Sequence, residues 1–266
     1  MADTAMKGRT TSSEGTRGYV PALGVDRLTS LYDPVIRLTT RERVFRRRLL
    51  DQARIAAGMT VLDVGCGTGT LAIQAKQRTP GAEVVGLDGD LKVLERARRK
   101  ASAARAEVTF DQGLSGELPY PDGSFDRVLS SLLFHHLVRQ DKLRTVAEIR
   151  RVLKPGGELH VADFGKPSGP VTKALSLSIR LLDGFENTRD NFAGELPALF
   201  ERGGMERVAL LGEMTLVYGT LAFYSAEKPS ATKPVDVQSA AHAHPNQEQG
   251  GEAPVDAAPS TSVPRR

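Results

Sequence analysis

Apolar runs typical of β-strands alternate with helical patterns through the middle of the chain. Between these runs apolar residues recur at helical spacing, as in the stretch 143–153. Pro80-Gly81 and Pro155-Gly156-Gly157 are expected to end helices. Strands that alternate with helices in this way predict a mostly parallel sheet covered on both faces. The strand-like runs are TVLDVG (60–65), EVVGLD (83–88), EVTF (107–110), FDRVLSSLLF (125–134) and ELHVADF (158–164).

The pattern changes after these runs. Residues 197–204 predict a helix, and two strand-like runs follow at 205–212 and 215–226. Because only a short turn separates the two runs, they are expected to pair antiparallel. The predicted fold class is therefore α/β, with a doubly wound, mostly parallel sheet and an antiparallel hairpin at its C-terminal edge.

Both ends of the chain are polar. Residues 227–266 contain no Leu, Ile, Met, Phe, Tyr or Trp but hold six of the fifteen prolines, a composition that predicts a disordered tail. Residues 1–18 are similarly polar and are expected to be a flexible N-terminus. This leaves one predicted domain over 19–226, with a leucine-rich cap insertion at about 166–196.

Composition and charge narrow the class of protein. No apolar run approaches the ~18 residues of a membrane-spanning helix, and the N-terminal residues lack the apolar core of a secretory signal. Cys66 is the only cysteine, so neither a disulfide framework nor a cysteine-based zinc site is expected, and a cytoplasmic location is predicted. The net charge of +4 includes arginine-rich segments at 37–54 and 92–105. We interpret these segments as solvated faces of amphipathic helices rather than as a nucleic-acid surface.

A glycine-rich turn follows the first strand-like run. Residues 61–69 are VLDVGCGTG, and glycines at such a turn let a ligand approach the backbone. Asp88 lies nineteen residues beyond Gly69, at the end of the second run, where a carboxylate can accept hydrogen bonds from ribose hydroxyls. The pair predicts an adenosine-cofactor site at the carboxyl edge of the sheet. The third glycine comes one residue earlier than in G-x-G-x-x-G, which disfavours a nicotinamide-dependent oxidoreductase.

Four segments together resemble one enzyme family. VLDVGCGTG, Leu87-Asp88, LPYPDGSFD (118–126) and VLKPGG (152–157) are similar to motifs of the class I S-adenosylmethionine-dependent methyltransferases, which have a Rossmann-like fold. The variety is the ubiquinone/menaquinone-biosynthesis (methyltransferase type 11) group, and the likeness covers roughly residues 60–165. The resemblance implies a methyl transfer from S-adenosylmethionine to a small, apolar or aromatic metabolite. An RNA methyltransferase and a non-catalytic S-adenosylmethionine-binding protein are the alternatives.

The resemblance also implies a set of cofactor contacts along the edge of the sheet. The turn would line the methionine half of the cofactor, Asp88 would hold the ribose, and the residues after the third strand would meet the adenine. Asp63 could accept hydrogen bonds from the cofactor's amino group or from backbone N–H groups of the turn. The implied contacts are Asp63, Gly65, Gly67, Thr68, Gly69, Asp88, Gly113, Leu114, Ser115 and Ser131.

Leu114 departs from the family pattern. Many relatives have G-D-A where this chain has Gly113-Leu114-Ser115, so the carboxylate expected to receive the adenine amino group is missing. Asp111, Ser115 or a backbone carbonyl could take its place.

Two histidines follow the fourth strand-like run. His135 or His136 could act as a general base near pH 7, and the alternative is a loop histidine that bonds a neighbouring carbonyl. Tyr32 lies in a lead-in that folds over the cofactor in relatives. Cys66 could form a nucleophilic thiolate, but its place among the motif glycines favours a structural role.

Overall fold

The computed structural model describes residues 42–216 and 219–230, apart from the side chains at 178–180 and 182–183. The predicted flexible segment 1–18, the lid residue Tyr32 and the predicted tail beyond residue 230 lie outside the described residues. Within the described part, no helix is both long and apolar enough to cross a membrane.

Helices and strands alternate through most of the described chain, except that no helix separates the third strand from the fourth and three successive helices follow the fifth strand. The helices are α1 (Glu42–Ala53), α2 (Thr70–Arg78), α3 (Leu91–Ala103), α4 (Arg139–Val152), α5 (Pro170–Asp183), α6 (Phe185–Ala193) and α7 (Leu196–Arg202), with a 3₁₀ turn at Phe134–His136. The strands are β1 (Thr60–Val64), β2 (Glu83–Asp88), β3 (Thr109–Gln112), β4 (Phe125–Ser131), β5 (Leu153–Phe164), β6 (Glu206–Leu216) and β7 (Gly219–Glu227).

The seven strands form one sheet with the order β3-β2-β1-β4-β5-β7-β6. The first five strands are parallel, and β7 runs antiparallel between β5 and β6. The predicted fold class is therefore confirmed, including the hairpin at one edge. Because the order reverses between β1 and β4, the carboxyl ends of these two strands flank the crevice where such sheets bind ligands.

The start of β5 differs from the prediction. Pro155-Gly156-Gly157 was expected to be a stop, but the strand begins at Leu153 and includes it. The pairing with β4 shifts in register between Phe125 and Arg127, and Gly156 has a φ of 74°. An irregular register and a glycine at positive φ let the chain pass from α4 directly into the strand.

Two layers of helices cover the sheet. Helices α1, α2 and α3 pack on one face through apolar residues such as Phe45, Leu71 and Leu94. Helices α4 and α7 pack on the other face through residues such as Ile149 and Phe200. This arrangement buries the strands on both sides, which explains their nearly continuous apolar runs.

Arginines of α1 and of the residue after it contact the chain itself. Arg46 pairs with Glu42 within the helix at 2.8 Å, Arg48 donates to the carbonyl of Leu211 of β6 at 3.1 Å, and Arg54, just after the helix, pairs with Glu158 of β5 at 3.4 Å. The segment therefore forms a helix, as interpreted from the sequence, and Arg48 and Arg54 attach it to the sheet.

Candidate functional site

The glycine-rich turn lies at the carboxyl edge of the sheet, against the end of β2. The backbone N–H groups of Gly65 and Cys66 donate to the carbonyl of Leu87 at 2.8 and 3.0 Å. Gly65, Gly67 and Gly69 have φ values of 70°, 54° and 71°, in the left-handed region that favours glycine. The sequence motif thus forms a tight turn between β1 and α2, as predicted.

The three glycines are needed for different reasons. A Cβ at Gly69 would lie 2.7 Å from the ring of Phe110, and one at Gly65 would lie 2.9 Å from Cδ1 of Leu133. A Cβ at Gly67 would meet nothing within 4 Å. Gly69 and Gly65 therefore allow close packing of the protein, whereas the backbone of Gly67 faces open space that a ligand can reach.

Asp88 holds this turn at the end of β2. Its Oδ2 accepts a 2.9 Å hydrogen bond from the N–H of Gly67, and its Oδ1 accepts a 3.0 Å bond from the N–H of Asp90. A carboxylate offers about four acceptor positions, so two remain for further donors such as ribose hydroxyls. The residue predicted from spacing to bind the ribose is also a positioning element of the turn.

Asp63 is a buried carboxylate without a partner. The side chain is fully buried in β1, and neither of its carboxylate oxygens makes a hydrogen bond of ordinary length and angle. Burial raises its pKa to about 7, although the charge of Arg46 and the nearby backbone N–H of Ala72 act in the opposite direction. A buried carboxyl in this state fits an incoming cation such as an amino group.

Arg46 of α1 complements Asp63. Its guanidinium is close enough to lower the pKa of Asp63, and its Nε is buried without a partner. One carboxylate and one guanidinium on the same face of the sheet match the two charges of an amino acid. From the sequence, Arg46 was interpreted only as part of the solvated arginine-rich segment 37–54, because the proximity of positions 46 and 63 depends on the packing of α1.

The predicted adenine region contains one of the candidate carboxylates, Asp111. Leu114 is 57% exposed. Asp111 accepts a 3.0 Å hydrogen bond from the hydroxyl of Tyr120, and the hydroxyl of Ser115 lies 2.9 Å from that of Thr145. Both side chains thus have one partner and keep acceptor positions, so the alternatives for the missing contact stay open. The N–H of Gly113 donates to the carbonyl of Asp88 at 3.1 Å, so this loop adjoins β2.

The remaining predicted contacts fall at the same edge. Ser131 ends β4 and pairs in register with Ala162 of β5, and Thr68 lies in the glycine turn with its hydroxyl 3.5 Å from that of Thr70. Cys66 is buried, and burial raises the pKa of its thiol far above the usual range. This favours the structural interpretation of Cys66 over a thiolate nucleophile.

The histidines lie beside an aspartate that sequence reasoning missed. Nδ1 of His135 is 2.8 Å from Oδ1 of Asp163, and the rings of His135 and His136 have centroids 4.0 Å apart. Desolvation lowers the pKa of His136, and the neighbouring His135 lowers it further. Burial opposes the ionisation of Asp163, but His135 and the N–H of Phe164 outweigh it and lower the pKa of this carboxyl.

Cap helix α6 completes this cluster. The amide nitrogen of Asn191 donates to Oδ1 of Asp163 at 3.1 Å and to the carbonyl of Phe164 at 3.2 Å. Phe164 and Phe192 stack with ring centroids 6.1 Å apart, and the His135 ring meets Phe164 edge-on at 4.8 Å. The one available signal in the sequence was the single acidic residue near the end of the apolar run ELHVADF, which parallels Asp63 in VLDVG.

Residues 42–216 and 219–230 contain no group of three His, Cys, Asp or Glu side chains placed to hold a metal ion. The candidate site contains two buried carboxylates (Asp63 and Asp163), the guanidinium of Arg46 and the imidazoles of His135 and His136.

Comparisons with known proteins agree with the methyltransferase resemblance that the sequence motifs carry. A family model described as "Methyltransferase domain" matches residues 61–157. These residues are similar to that family, and the predicted resemblance to the class I S-adenosylmethionine-dependent methyltransferases of the ubiquinone/menaquinone group is confirmed.

Two relatives give the resemblance its detail. The chain is 44% identical over 123 residues to the demethylmenaquinone methyltransferase of Thermus thermophilus, a match that covers 46% of this chain and 55% of the relative. It is 32% identical over 149 residues to the ubiquinone/menaquinone biosynthesis C-methyltransferase UbiE of Geobacter sp., covering 54% of this chain and 63% of the relative. The matches thus span little more than half the length of these relatives.

A solved structure confirms the fold. The S-adenosylmethionine-dependent methyltransferase SibL superposes with a TM-score of 0.62 at 20% identity, covering 77% of this chain and 60% of SibL. At this identity the comparison concerns the fold alone.

Proposed function

We propose that this protein transfers a methyl group from S-adenosylmethionine to a ring carbon of a small hydroxylated aromatic acceptor of the demethylmenaquinone kind. The matched relatives are named for this type of acceptor, and the aromatic cluster of Phe164, Phe192 and His135 suits a flat apolar molecule. The sequence predicts a cytoplasmic location, which is consistent with the use of S-adenosylmethionine as the donor.

Residues at the carboxyl edge would hold the donor. Asp63 would pair with the amino group, Arg46 with the carboxylate, and Asp88 with the ribose hydroxyls. The open face of Gly67 would let the donor approach the backbone. The donor supplies an electrophilic methyl group on a positively charged sulfur.

His135 is the base that this geometry favours. With Nδ1–H donated to Asp163, the second nitrogen of the ring carries a lone pair. It can take the proton of an acceptor hydroxyl, and the resulting oxyanion directs its electron pair to the neighbouring ring carbon. This carbon would accept the methyl group that the bound donor supplies, with the electron pair of the broken bond left on sulfur. The ring proton would then leave to solvent and the ring oxygen would take back the proton held by His135, which restores the aromatic hydroxyl compound.

His136 is the second candidate base. Desolvation lowers its pKa, so the ring is neutral at pH 7 but is a weaker base than an ordinary imidazole.

The single observation that carries the proposal is the buried, unpartnered carboxylate of Asp63 beside the glycine turn. Such a group is costly unless a cationic ligand completes it. Its position among the residues of the methyltransferase motif supports the assignment of the donor's amino group as that cation.

The test has two parts. Calorimetry should show binding of S-adenosylmethionine and of S-adenosylhomocysteine, with weaker binding of NAD. Purified protein incubated with a reduced naphthoquinone that lacks the ring methyl should then give a product 14 mass units heavier, by the replacement of one hydrogen with CH₃. Donor binding without transfer to any small acceptor would favour the non-catalytic alternative, and salt-sensitive methylation of RNA would favour the other one.

A further inference from the structure

Asp163, the carboxylate beside His135, accepts a hydrogen bond from cap helix α6. Asp163 accepts hydrogen bonds from the backbone N–H of Phe134 at 2.7 Å and from that of Phe164 at 2.7 Å. Its Oδ1 also accepts a 3.1 Å hydrogen bond from the side-chain amide nitrogen of Asn191. Asn191 is the only one of these donors on α6, and it is fully buried.

Asn191 spans two fixed acceptors. Its amide nitrogen donates to Oδ1 of Asp163 and to the carbonyl of Phe164, and this assignment leaves its amide oxygen buried without a partner. If the side-chain amide of Asn191 were flipped, its oxygen would face two other oxygens, Oδ1 of Asp163 and the carbonyl oxygen of Phe164, and neither bond could form. The two contacts therefore determine the orientation of the amide. A buried amide oxygen without a partner is costly, so the position gains from a role beyond packing.

The helix that carries Asn191 is itself attached to the scaffold. Lys142 of α4 is buried, and its Nζ donates to the carbonyl of Asn187 at 2.6 Å and to Oδ2 of Asp190 at 3.2 Å. Arg139 of α4 pairs with Asp190 as well. Residues 187, 190 and 191 lie on one face of α6, so this face is fixed to α4 and β5 together.

We propose that Asn191 is a positioning residue for the base. It holds Asp163 in the orientation in which Oδ1 receives Nδ1–H of His135, and it thereby keeps the imidazole in the tautomer whose other nitrogen can accept a proton. Cap helix α6 thus contributes to the catalytic geometry as well as to the acceptor pocket. This inference rests on the proposed function.

The experiment compares four variants of the full chain. Asn191→Asp keeps the shape but replaces the donor with a second carboxylate, Asn191→Ala removes the amide, and Asp163→Asn disrupts the His135 contact itself. Arg189→Ala, an exposed position on the same helix, is the matched control. Each variant is measured for turnover against pH, for affinity towards S-adenosylhomocysteine, and for the ring-nitrogen chemical shifts of His135 by NMR.

Asn191→Ala should lower turnover about tenfold with donor affinity within twofold of the parent. Asn191→Asp should move the acidic limb of the pH profile upwards by about one unit, because an added negative charge favours the protonated imidazole. Asp163→Asn should cost about 10²–10⁴ in turnover, as expected for the wrong tautomer. Arg189→Ala should match the parent in every measurement.

The NMR shifts separate this inference from the proposed function, because they need no acceptor. Altered His135 shifts in the Asn191 variants support the positioning role even if no methyl transfer is found, in which case the proposed function alone fails. If the ring-nitrogen shifts of His135 in both Asn191 variants equal those of the parent, the positioning role is overturned, whatever the turnover of the variants. Lowered turnover with parental shifts and an unmoved pH profile would likewise reduce Asn191 to a packing residue.

Discussion

The backbone N–H of Gly67 donates a 2.9 Å hydrogen bond to Oδ2 of Asp88, and this bond joins the glycine-rich turn to the end of β2. The nineteen-residue interval between Gly69 and Asp88 therefore brings a loop and a strand end into direct contact. This contact changes what a substitution at Asp88 is expected to do.

Asp88→Ala should weaken binding of S-adenosylhomocysteine about ten- to a hundredfold, because it removes charge-assisted bonds worth roughly 1.5–3 kcal/mol. It should also lower the melting temperature, since the N–H groups of Gly67 and Asp90 lose their acceptor. Asp88→Asn, which keeps one acceptor oxygen, should fall between the parent and the alanine variant in both measurements. Calorimetry and thermal unfolding provide the two readouts, and affinity within twofold of the parent in Asp88→Ala would refute the ribose assignment.

Gly67→Ala and Gly69→Ala form a matched pair in the same turn. Both residues have positive φ, so alanine costs roughly 1–2 kcal/mol of backbone strain at either position. Only at Gly69 would the new Cβ also collide, at 2.7 Å, with the ring of Phe110. Gly69→Ala should therefore lower the free energy of unfolding more, whereas Gly67→Ala should mainly weaken donor binding. Urea unfolding and calorimetry would separate the two effects, and equal destabilisation with unchanged affinity for both would contradict the assignment of Gly67.

The sequence predicted those features that depend on local spacing. Strand alternation and the short link before β7 predicted the sheet and its hairpin, and the motif placed Asp63, Asp88 and the glycines at one edge. It did not predict Arg46 opposite Asp63, or Asn191 against Asp163, which are 28 positions apart. Such pairs depend on how helices pack across the sheet, and a polar residue on an amphipathic helix does not by itself reveal which strand it meets.

Asp63→Asn should change how stability depends on pH. The folded-state pKa of about 7 lies above the ordinary 3.8, so the folded protein binds more protons than the unfolded chain between these values. Stability from this group is therefore full below about pH 4 and is lost as the pH rises through 7, at a cost of roughly 4 kcal/mol above that. The variant should exceed the parent in stability most at pH 8, and the difference should shrink as the pH is lowered through 5 towards 4, in denaturant unfolding without ligand.

The same variant should bind S-adenosylhomocysteine poorly at both pH values, because it lacks the negative charge for the amino group. In the parent, donor affinity should rise between pH 5 and pH 7, as Asp63 loses its proton, and then level off. A parent and a variant with parallel pH dependence, in stability and in affinity, would show that Asp63 does not titrate in this range.

The buried pair of Lys142 and Asp190 predicts a strongly non-additive response. Nζ of Lys142 lies 3.2 Å from Oδ2 of Asp190, and burial lowers the pKa of the lysine. Asp190→Ala should cost roughly 3–5 kcal/mol of unfolding free energy, since it leaves the lysine charge buried and deprives Arg139 of one partner. Lys142→Met should cost less, because Asp190 keeps Arg139. The double variant should be more stable than Asp190→Ala alone, because the methionine removes the uncompensated charge while filling a similar volume. Urea unfolding of the four proteins gives the coupling energy directly, and simple addition of the two single effects would mean that the pair does not hold α6 to α4.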